Sequence, residues 1–261
     1  ILKNKSSQID LSVYIKSFLL LMKPRVMSLV LFTAMVGLLV APVTVSFTTA
    51  SLSLLAVAIG SGAAGALNMW YESDVDALMS RTCLRPIPTG KIKREQALLF
   101  GIILSFISIV MLYLSSNLIS AILLAATISF YFFIYTIWLK RKTAQNIVIG
   151  GAAGALPPVI GWAVAMNNIS LEPIVMFLII FIWTPSHFWA LSLYKFKDYE
   201  KAKIPMLPIT AGVEKTKLNI LVYAFLMLPV VIAPFFIGFG SVIYLVLSLG
   251  MTTYYIRLCY L

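Results

Sequence analysis

The chain has 261 residues, of which 61% are hydrophobic and 11% charged, and its mean hydropathy is +0.99. Soluble domains have about 45–50% apolar and about 25% charged residues, so this composition excludes a water-soluble enzyme, a disordered tail and a disulfide scaffold. The net charge of +11 often indicates nucleic acid, but the lipid-like segments leave no folded domain to bind it. The sequence therefore predicts an integral membrane protein without a nucleic-acid partner.

Eight segments are long and apolar enough to cross a bilayer as helices, since a span needs about 20 mostly apolar residues. The predicted spans are residues 28–45, 52–71, 96–114, 118–139, 144–165, 173–194, 218–238 and 241–256. Runs of small residues at 60–66 and 150–155 let helix backbones approach closely in lipid. The predicted fold class is all-α, a polytopic transmembrane helix bundle with eight spans in this chain.

The basic residues indicate how the bundle is oriented. All 20 Lys and Arg residues precede the first span or follow spans two, four, six and eight, and the opposite connections contain none. By the positive-inside rule, the charged side is the cytoplasm or the mitochondrial matrix. We therefore expect a cytoplasmic N-terminus. The short N-terminal segment favours a bacterial inner (plasma) membrane over the mitochondrial inner membrane.

The first of two acidic clusters closes span two. Asn68, Glu72 and Asp76 are spaced four residues apart, so a continuing helix places them on one face. One or two carboxylates, completed by water and substrate phosphates, are the usual ligands of Mg²⁺. Arg81 and Arg85 follow directly and can meet anionic oxygens. A solvated loop of mixed charge is the alternative interpretation, but Asn68 at the end of an apolar helix is costly unless it is used.

Two further connections carry polar side chains on the same membrane side. One contains Asp198 and Glu200, which do not share a helix face, and the other contains Lys140 and Arg141. These segments place carboxylates for a divalent cation, and cations for phosphate, around one cavity mouth. The substrate that they suit is a diphosphate with an apolar remainder, such as a polyprenyl diphosphate. Ionising an allylic diphosphate needs a divalent cation and Arg or Lys to stabilise the departing group.

These residues resemble the UbiA superfamily of intramembrane prenyltransferases and, within it, the branch that farnesylates haem. The resemblance runs from Lys23 to about Gly212. The segments that carry it are 23–27, 67–72, 74–79, 81–86, 146–158, 183–191 and 198–208. The most specific of them is 183–191, which reads Trp-Thr-Pro-Ser-His-Phe-Trp-Ala-Leu.

The resemblance implies nine spans, so we expect the C-terminal span to be missing from this chain. Residues 10–22 are amphipathic and predict an interfacial helix. We therefore expect an N-terminal interfacial segment, residues 1–24, and a single transmembrane prenyltransferase domain, residues 25–261.

The resemblance also implies a reaction. A farnesyl group passes from farnesyl diphosphate to a vinyl group of haem B, with addition of water, to give haem O and diphosphate. Mg²⁺ is the implied cofactor, and haem B is a substrate rather than a permanent cofactor. The implied partners are both substrates, the lipid bilayer and, beyond them, haem A synthase or cytochrome oxidase assembly factors.

The resemblance assigns three groups of site residues. The catalytic and metal-binding residues are Asn68, Glu72, Asp76 and Asp198; the diphosphate-binding residues are Lys23, Arg25, Arg81, Arg85, Lys140 and Arg141; and the haem-binding residues are His187 and Trp183. Glu72 stands where the superfamily usually has Asp, and its carboxylate is still able to ligate. Ala202 stands four residues after Asp198, where many members have a second carboxylate, so a complete second Mg²⁺ site is not expected.

His187 is the only histidine in the chain. A lone histidine in an apolar helix is most often a hydrogen-bonded packing residue. In a protein that holds haem, neutral imidazole is a common axial iron ligand, and that role is the second interpretation.

Three other functions fit part of the pattern. A UbiA-type prenyltransferase with another acceptor, such as an aromatic acid or a chlorin, would use the same acidic residues. A secondary transporter would place charged groups at the bilayer midplane, whereas the predicted helix centres contain almost no ionisable side chain except His187. A CDP-alcohol phosphotransferase would have Asp-Gly pairs in its acidic segments, and neither cluster contains one.

Overall fold

The computed structural model describes residues 11–260, and the regular structure in that range is helical. The helices are α1 Leu11–Leu21, α2 Pro24–Leu39, α3 Phe47–Tyr71, α4 Ser73–Leu78, α5 Arg94–Ser115, α6 Leu118–Ser129, a π-helical continuation of α6 over Phe130–Leu139, α7 Asn146–Ala155, α8 Pro157–Met166, α9 Leu171–Tyr194, α10 Phe196–Lys201, α11 Leu207–Ala211, α12 Val213–Phe236 and α13 Val242–Tyr260. Residues 1–10 of the predicted interfacial segment lie outside the described range.

The predicted helix bundle is confirmed. Within the described range, seven helices are long and apolar enough to cross a membrane: α3, α5, α6 with its continuation, α7 with α8, α9, α12 and α13. The pair α1 and α2 would supply an eighth span with a bend of 49°. These elements correspond one to one with the eight predicted spans, because a backbone in lipid must satisfy its hydrogen bonds within each helix.

The first predicted span, residues 28–45, has the least accurate bounds. Helix α2 runs over Pro24–Leu39, so it begins earlier and ends six residues sooner than predicted. Pro42 disfavours helical backbone at the residue before it, which stops the helix. Ser46 then begins α3 by accepting a hydrogen bond from the Thr49 amide at 3.1 Å.

Glycines allow the closest contacts between helices. Gly151, in a predicted small-residue run, packs α7 against Thr184 of α9. Gly161 of α8 lies directly against the Ala34 carbonyl of α2, where a Cβ atom would overlap the backbone. Such contacts are typical of helix pairs in lipid, where close van der Waals packing replaces the hydrophobic effect.

The polar connections at one end of the bundle have a hydrophobic core of their own. Val75 of α4, Trp189 of α9 and Tyr199 of α10 belong to one buried cluster, which also contains Ile204 between α10 and α11. This cluster holds the first acidic segment against the second. The alternative of a solvated loop is therefore wrong for the first acidic segment.

Candidate active site

The acidic face of α3 and α4 lies at the centre of the candidate site. Backbone hydrogen bonds from Glu72 to Asn68 and from Asp76 to Glu72, at 3.0 and 2.8 Å, continue the helical ladder through the junction of the two helices. The three side chains therefore share a face, as their spacing predicts. Each residue is at most 3% exposed, so the face points into protein rather than into lipid or water.

Asn68 and Glu72 join two lysines in one buried network. The Lys23 ammonium donates to Asn68 Oδ1 at 2.5 Å, and the Lys140 ammonium donates to Glu72 Oε2 at 2.5 Å. Asn68 Nδ2 links the two halves by donating to Glu72 Oε2 at 3.0 Å and to Thr136 Oγ1 at 3.2 Å. Lys140 thus pairs with the carboxylate and Lys23 with the neighbouring amide oxygen, and the two lysines together suit an anionic ligand.

A π-helix positions Thr136 and Lys140. The Lys140 amide donates to the Tyr135 carbonyl five residues earlier at 3.0 Å, and the Thr136 hydroxyl donates to the Tyr131 carbonyl at 2.8 Å. The wider turn rotates the end of this helix relative to an α-helix and brings both side chains to α3. Segments of π-helix often occur at functional sites. Thr136 was not among the predicted site residues, although it lies only four residues before Lys140.

The turn between α1 and α2 positions Lys23. Lys23 has left-handed backbone, with φ 53° and ψ 64°, which costs a residue with a Cβ atom about 1–2 kcal/mol. The turn packs on two glycines of α3: a Cβ on Gly65 would lie 3.2 Å from the Leu21 carbonyl oxygen, and one on Gly62 would meet the Met22 side chain. These glycines let the turn approach closely enough for Lys23 to contact Asn68.

Asp76 is held by the loop that follows α4. Arg85 Nη1 donates to both oxygens of the Asp76 carboxylate, at 2.8 and 2.7 Å. The Thr82 hydroxyl donates to the Asp76 carbonyl at 2.9 Å and fixes the loop. Arg81 lies in the same loop and is exposed. The loop thus places Arg85, a predicted diphosphate-binding residue, on Asp76, a predicted metal ligand. Arg81, the other predicted arginine, lies at the surface.

Asp198 contacts the end of the first acidic segment through a hydroxyl group. Ser80 Oγ lies 3.0 and 2.9 Å from the two Asp198 oxygens, although the residues are 118 positions apart. The structure therefore brings the two acidic segments together as predicted. Within residues 11–260, however, no three His, Cys, Asp or Glu side chains lie close enough to form a metal cage by themselves. No sequence signal distinguishes Ser80 from the other hydroxyl residues near it.

Two predicted diphosphate-binding residues lie at the edge of the site. Arg141 forms a two-pronged ion pair with Asp74, at 2.9 and 2.7 Å, and its guanidinium lies 5.2 Å from the centre of the Tyr71 ring. This hydrogen-bonded contact lowers the pKa of Asp74 and raises that of Arg141. Arg25 is exposed in the first turn of α2.

An apolar cavity begins at Lys23 and extends into the bundle. Its volume is about 120 Å³, and α2, α3, α6, α7 and α8 contribute to its walls. Lys23 and Tyr131 lie at the end nearest the charged network, whereas most of the remaining lining is aliphatic or glycine. A single water needs only about 10–15 Å³ of such space, so the cavity has room for part of an apolar ligand.

Trp183 and His187 lie elsewhere, on α9. Their rings stack with centroids 4.3 Å apart and planes inclined by 17°, and both residues are exposed. Phe188 packs edge-on against His187. Because His187 is exposed, it is not a packing residue of the core, which was the first interpretation of this lone histidine.

A polytopic helix bundle with a buried carboxylate and lysine network above an apolar cavity defines an intramembrane site for an amphiphilic anion. The model of the UbiA prenyltransferase family matches residues 30–260. The chain therefore belongs to the UbiA prenyltransferase family.

Several relatives are closely similar to the chain. It is 68% identical to the Protoheme IX farnesyltransferase of Pelagibacter ubique (strain HTCC1062), over 92% of this chain and 79% of that protein. It is 55% identical to the Protoheme IX farnesyltransferase of Rhodopseudomonas palustris (strain BisB18), over 91% of this chain and 76% of that protein.

Solved structures share the fold at low sequence identity. A UbiA homolog from Archaeoglobus fulgidus bound to DMAPP and Mg²⁺ has a TM-score of 0.79 at 17% identity, covering 94% of this chain and 86% of that one. A structure that concerns digeranylgeranylglyceryl phosphate synthase has a TM-score of 0.79 at 18% identity, covering 95% and 86%. At these identities the similarity establishes the fold.

Proposed function

We propose that this protein is a protohaem IX farnesyltransferase. It transfers the farnesyl group of farnesyl diphosphate to a vinyl group of haem B, with addition of water, and releases haem O and diphosphate. One observation carries the proposal most directly: a network of Lys23, Asn68, Glu72 and Lys140 lies at the end of an apolar cavity that begins at Lys23. A charged head group and an apolar tail fit these two parts. The names of relatives that are 55–68% identical support the particular donor and acceptor.

The basic residues stabilise the leaving group. When the bond between the first farnesyl carbon and its oxygen breaks, the electron pair leaves with the diphosphate. Lys23, Lys140 and Arg85 supply ammonium and guanidinium donors for this developing charge, and Arg81 adds a fourth cation. The aliphatic cavity wall keeps water from the allylic carbocation until a vinyl carbon of haem attacks it.

The acidic residues suit a magnesium ion that is bound together with its substrate. Asn68, Glu72 and Asp76 offer oxygen ligands on one buried face, and Asp198 is held beside the following segment. Mg²⁺ is commonly bound by one or two carboxylates plus substrate phosphates rather than by an all-protein cage, and this donor set fits that pattern. When bound, Mg²⁺ neutralises the diphosphate and makes it a better leaving group. In the structure, Lys140 pairs with Glu72 and Arg85 pairs with Asp76. When these carboxylates bind a metal ion, the two cations become available to phosphate oxygens.

Haem binds at α9 in this proposal. The stacked rings of Trp183 and His187 present an exposed aromatic surface within the membrane-spanning part of the chain, which suits a largely apolar porphyrin. His187 provides the imidazole for axial ligation of iron. Titration of haem B into the His187→Ala variant should lose the Soret shift, whereas Phe181→Leu on the same helix should keep it. An unchanged shift in His187→Ala, with normal folding, would remove this role.

The proposal includes a location. We place the chain in a bacterial inner membrane, and we propose a cytoplasmic N-terminus because the basic residues of the sequence fall in connections predicted to share one membrane side. Its product would pass to an enzyme that modifies haem O, such as haem A synthase, or to cytochrome oxidase assembly factors. Residues 25–261 form one transmembrane prenyltransferase domain.

A direct assay tests the reaction. The purified protein is incubated with haem B, farnesyl diphosphate and Mg²⁺, and the haem fraction is separated by chromatography. Haem O should form with the native chain and with Lys142→Met, an exposed cation two residues after Lys140. It should be absent with Glu72→Ala or Asp76→Ala. Failure of the native chain to form haem O would refute the proposal.

A further inference from the structure

The Asn68 amide uses both its oxygen and its nitrogen in the buried network. The oxygen accepts from the Lys23 ammonium at 2.5 Å, and the nitrogen donates to Glu72 Oε2 at 3.0 Å and to Thr136 Oγ1 at 3.2 Å. An asparagine amide has two N–H donors, so both donors have a partner. Asn68 and Thr136 are 1% and 0% exposed, and bulk water does not replace a partner that is lost. The orientation of this amide therefore depends on the three side chains around it.

Thr136 accepts a hydrogen bond from Asn68 and has no hydrogen left to donate to it. A threonine hydroxyl has one hydrogen, and Thr136 donates it to the Tyr131 carbonyl five residues earlier, at 2.8 Å. In an α-helix such a hydroxyl usually bonds to the carbonyl three or four residues earlier, so the contact with Tyr131 reflects the π-helix. The end of the amide that faces Thr136 must then be the nitrogen. This leaves the Asn68 oxygen on the side of Lys23.

The contact with Thr136 differs from the other two because the substrate does not compete for it. In the proposed function, Glu72 binds a metal ion and Lys23 meets the diphosphate, so the contacts of Asn68 with both charged side chains change as substrate binds. Thr136 is uncharged and continues to accept from Asn68 Nδ2. The last torsion of an asparagine side chain is broad and roughly two-fold. Without Thr136 the amide can turn and present its nitrogen, which does not ligate a metal ion, in place of its oxygen.

We infer that Thr136 is a positioning residue, which holds the Asn68 amide with its oxygen towards the metal ion and the diphosphate while they bind. The inference rests on the proposed function, which places both ligands at this face. Thr136 acts through Asn68 and needs no contact with the substrate. A buried N–H group that loses its acceptor is unfavourable enough to weaken binding about tenfold.

Binding of inorganic diphosphate tests this role without the chemical step. Equilibrium dialysis is carried out on the full chain in lipid nanodiscs, with radiolabelled diphosphate and graded Mg²⁺ and without farnesyl diphosphate or haem. Thr136→Val keeps the shape of the side chain but removes the hydroxyl, and it should weaken Mg²⁺-dependent diphosphate binding about tenfold. Thr136→Ser keeps the hydroxyl and should restore the native affinity. If Thr136→Val does not fold, Thr136→Ala replaces it in the same comparison with Thr136→Ser.

Thr216→Val is the matched control. Thr216 is also 0% exposed, and its hydroxyl also donates to a backbone carbonyl at 2.8 Å, but it lies on α12. This variant removes a buried hydroxyl away from Asn68, so it should bind diphosphate with the native affinity.

The Asn68→Asp variant separates positioning from a general effect on the fold. A carboxylate presents an acceptor oxygen in either orientation and has no nitrogen to turn towards the ligand. Adding Thr136→Val to Asn68→Asp should therefore cause no further loss of diphosphate binding. A purely structural role of Thr136 predicts the same loss in both backgrounds.

Three results would overturn the inference: native affinity in Thr136→Val, an equal loss in the native and Asn68→Asp backgrounds, or no Mg²⁺-dependent diphosphate binding by the native chain. The haem O assay separates these results from a failure of the proposed function. If the Thr136 variants behave as expected but the native chain forms no haem O, the proposed acceptor is wrong and the positioning role stands. If the native chain forms haem O and Thr136→Val binds diphosphate normally, the reaction stands and the positioning role is wrong.

Discussion

Replacing Lys140 with methionine should destabilise the protein more than replacing Glu72 with glutamine. The two charged groups lie 2.5 Å apart, and the Glu72 and Lys140 side chains are 3% and 19% exposed. Removing the lysine leaves a buried carboxylate with the Asn68 amide as a neutral donor. Breaking a buried pair in this way costs about 3–5 kcal/mol, and the partial exposure of Lys140 favours the lower end, about 3 kcal/mol. Removing the carboxylate costs about 1 kcal/mol, because a flexible lysine moves its ammonium to water.

Thermal unfolding in detergent, without Mg²⁺ or diphosphate, measures the difference. For a chain of this length, about 3 kcal/mol lowers Tm by roughly 6–10 °C. Lys142→Met is the matched control, since this residue is an exposed cation in the same connection, and its effect should stay within about 0.5 kcal/mol. The double variant Glu72→Gln with Lys140→Met should be less destabilised than the sum of the single variants by about 2 kcal/mol.

Two results would refute this account of the site. One is an equal fall in Tm for Lys140→Met and Lys142→Met, because the buried position of Lys140 would then have no effect. The other is strict additivity in the double variant, because two charges in contact must be coupled. Either result would show that Lys140 does not balance Glu72 in the free protein.

Three further predictions concern packing, pH and metal. Gly161→Ala should lower Tm by several degrees, because its Cβ would overlap the Ala34 backbone. Gly250→Ala is the control and should leave Tm unchanged, because the space around that residue is open. Thermal unfolding compares the two variants. The stability contributed by the lowered pKa of Asp74 is complete above the ordinary aspartate pKa and is lost as pH falls through the lowered one. This exposed pair is worth about 0.2–1 kcal/mol, so Asp74→Asn should change stability by no more than that at pH 7 in denaturation curves. Chelation of Mg²⁺ should abolish haem O formation, and added Mg²⁺ should restore it without refolding.

The regular parts of this structure follow from the sequence because the bilayer leaves few choices. A continuous apolar segment in lipid must form a helix, so seven spans were predicted within a few residues. The face shared by Asn68, Glu72 and Asp76 follows from the same periodicity. The first span was less accurate because its helix ends near a proline and meets α1 at a bend of 49°.

The contacts between distant segments could be predicted only in part. The shared cytoplasmic side of the basic and acidic connections indicated that they meet, but not which atoms pair. Arg141 stays a predicted diphosphate-binding residue, and its ion pair with Asp74 was not predicted. The Ser80 contact to Asp198 joins residues 118 positions apart, and an isolated serine in a polar loop carries no signal of such a partner. Pairings of this kind depend on tertiary packing, which local patterns do not encode.

The two irregular backbone features of the site resist prediction for a physical reason. Local preference favours an α-helix over the π-helix at Phe130–Leu139 and disfavours the left-handed backbone of Lys23. The left-handed turn places the Lys23 ammonium on Asn68, and the π-helix places the Lys140 ammonium on Glu72, which is hydrogen-bonded to Asn68. Leaving the buried carboxylate without Lys140 costs about 3 kcal/mol, which exceeds the cost of about 1–2 kcal/mol for the left-handed backbone at Lys23. The charge network therefore offsets the cost of the irregular backbone on which its contacts depend. Substitutions at Glu72 should for this reason affect folding as well as catalysis.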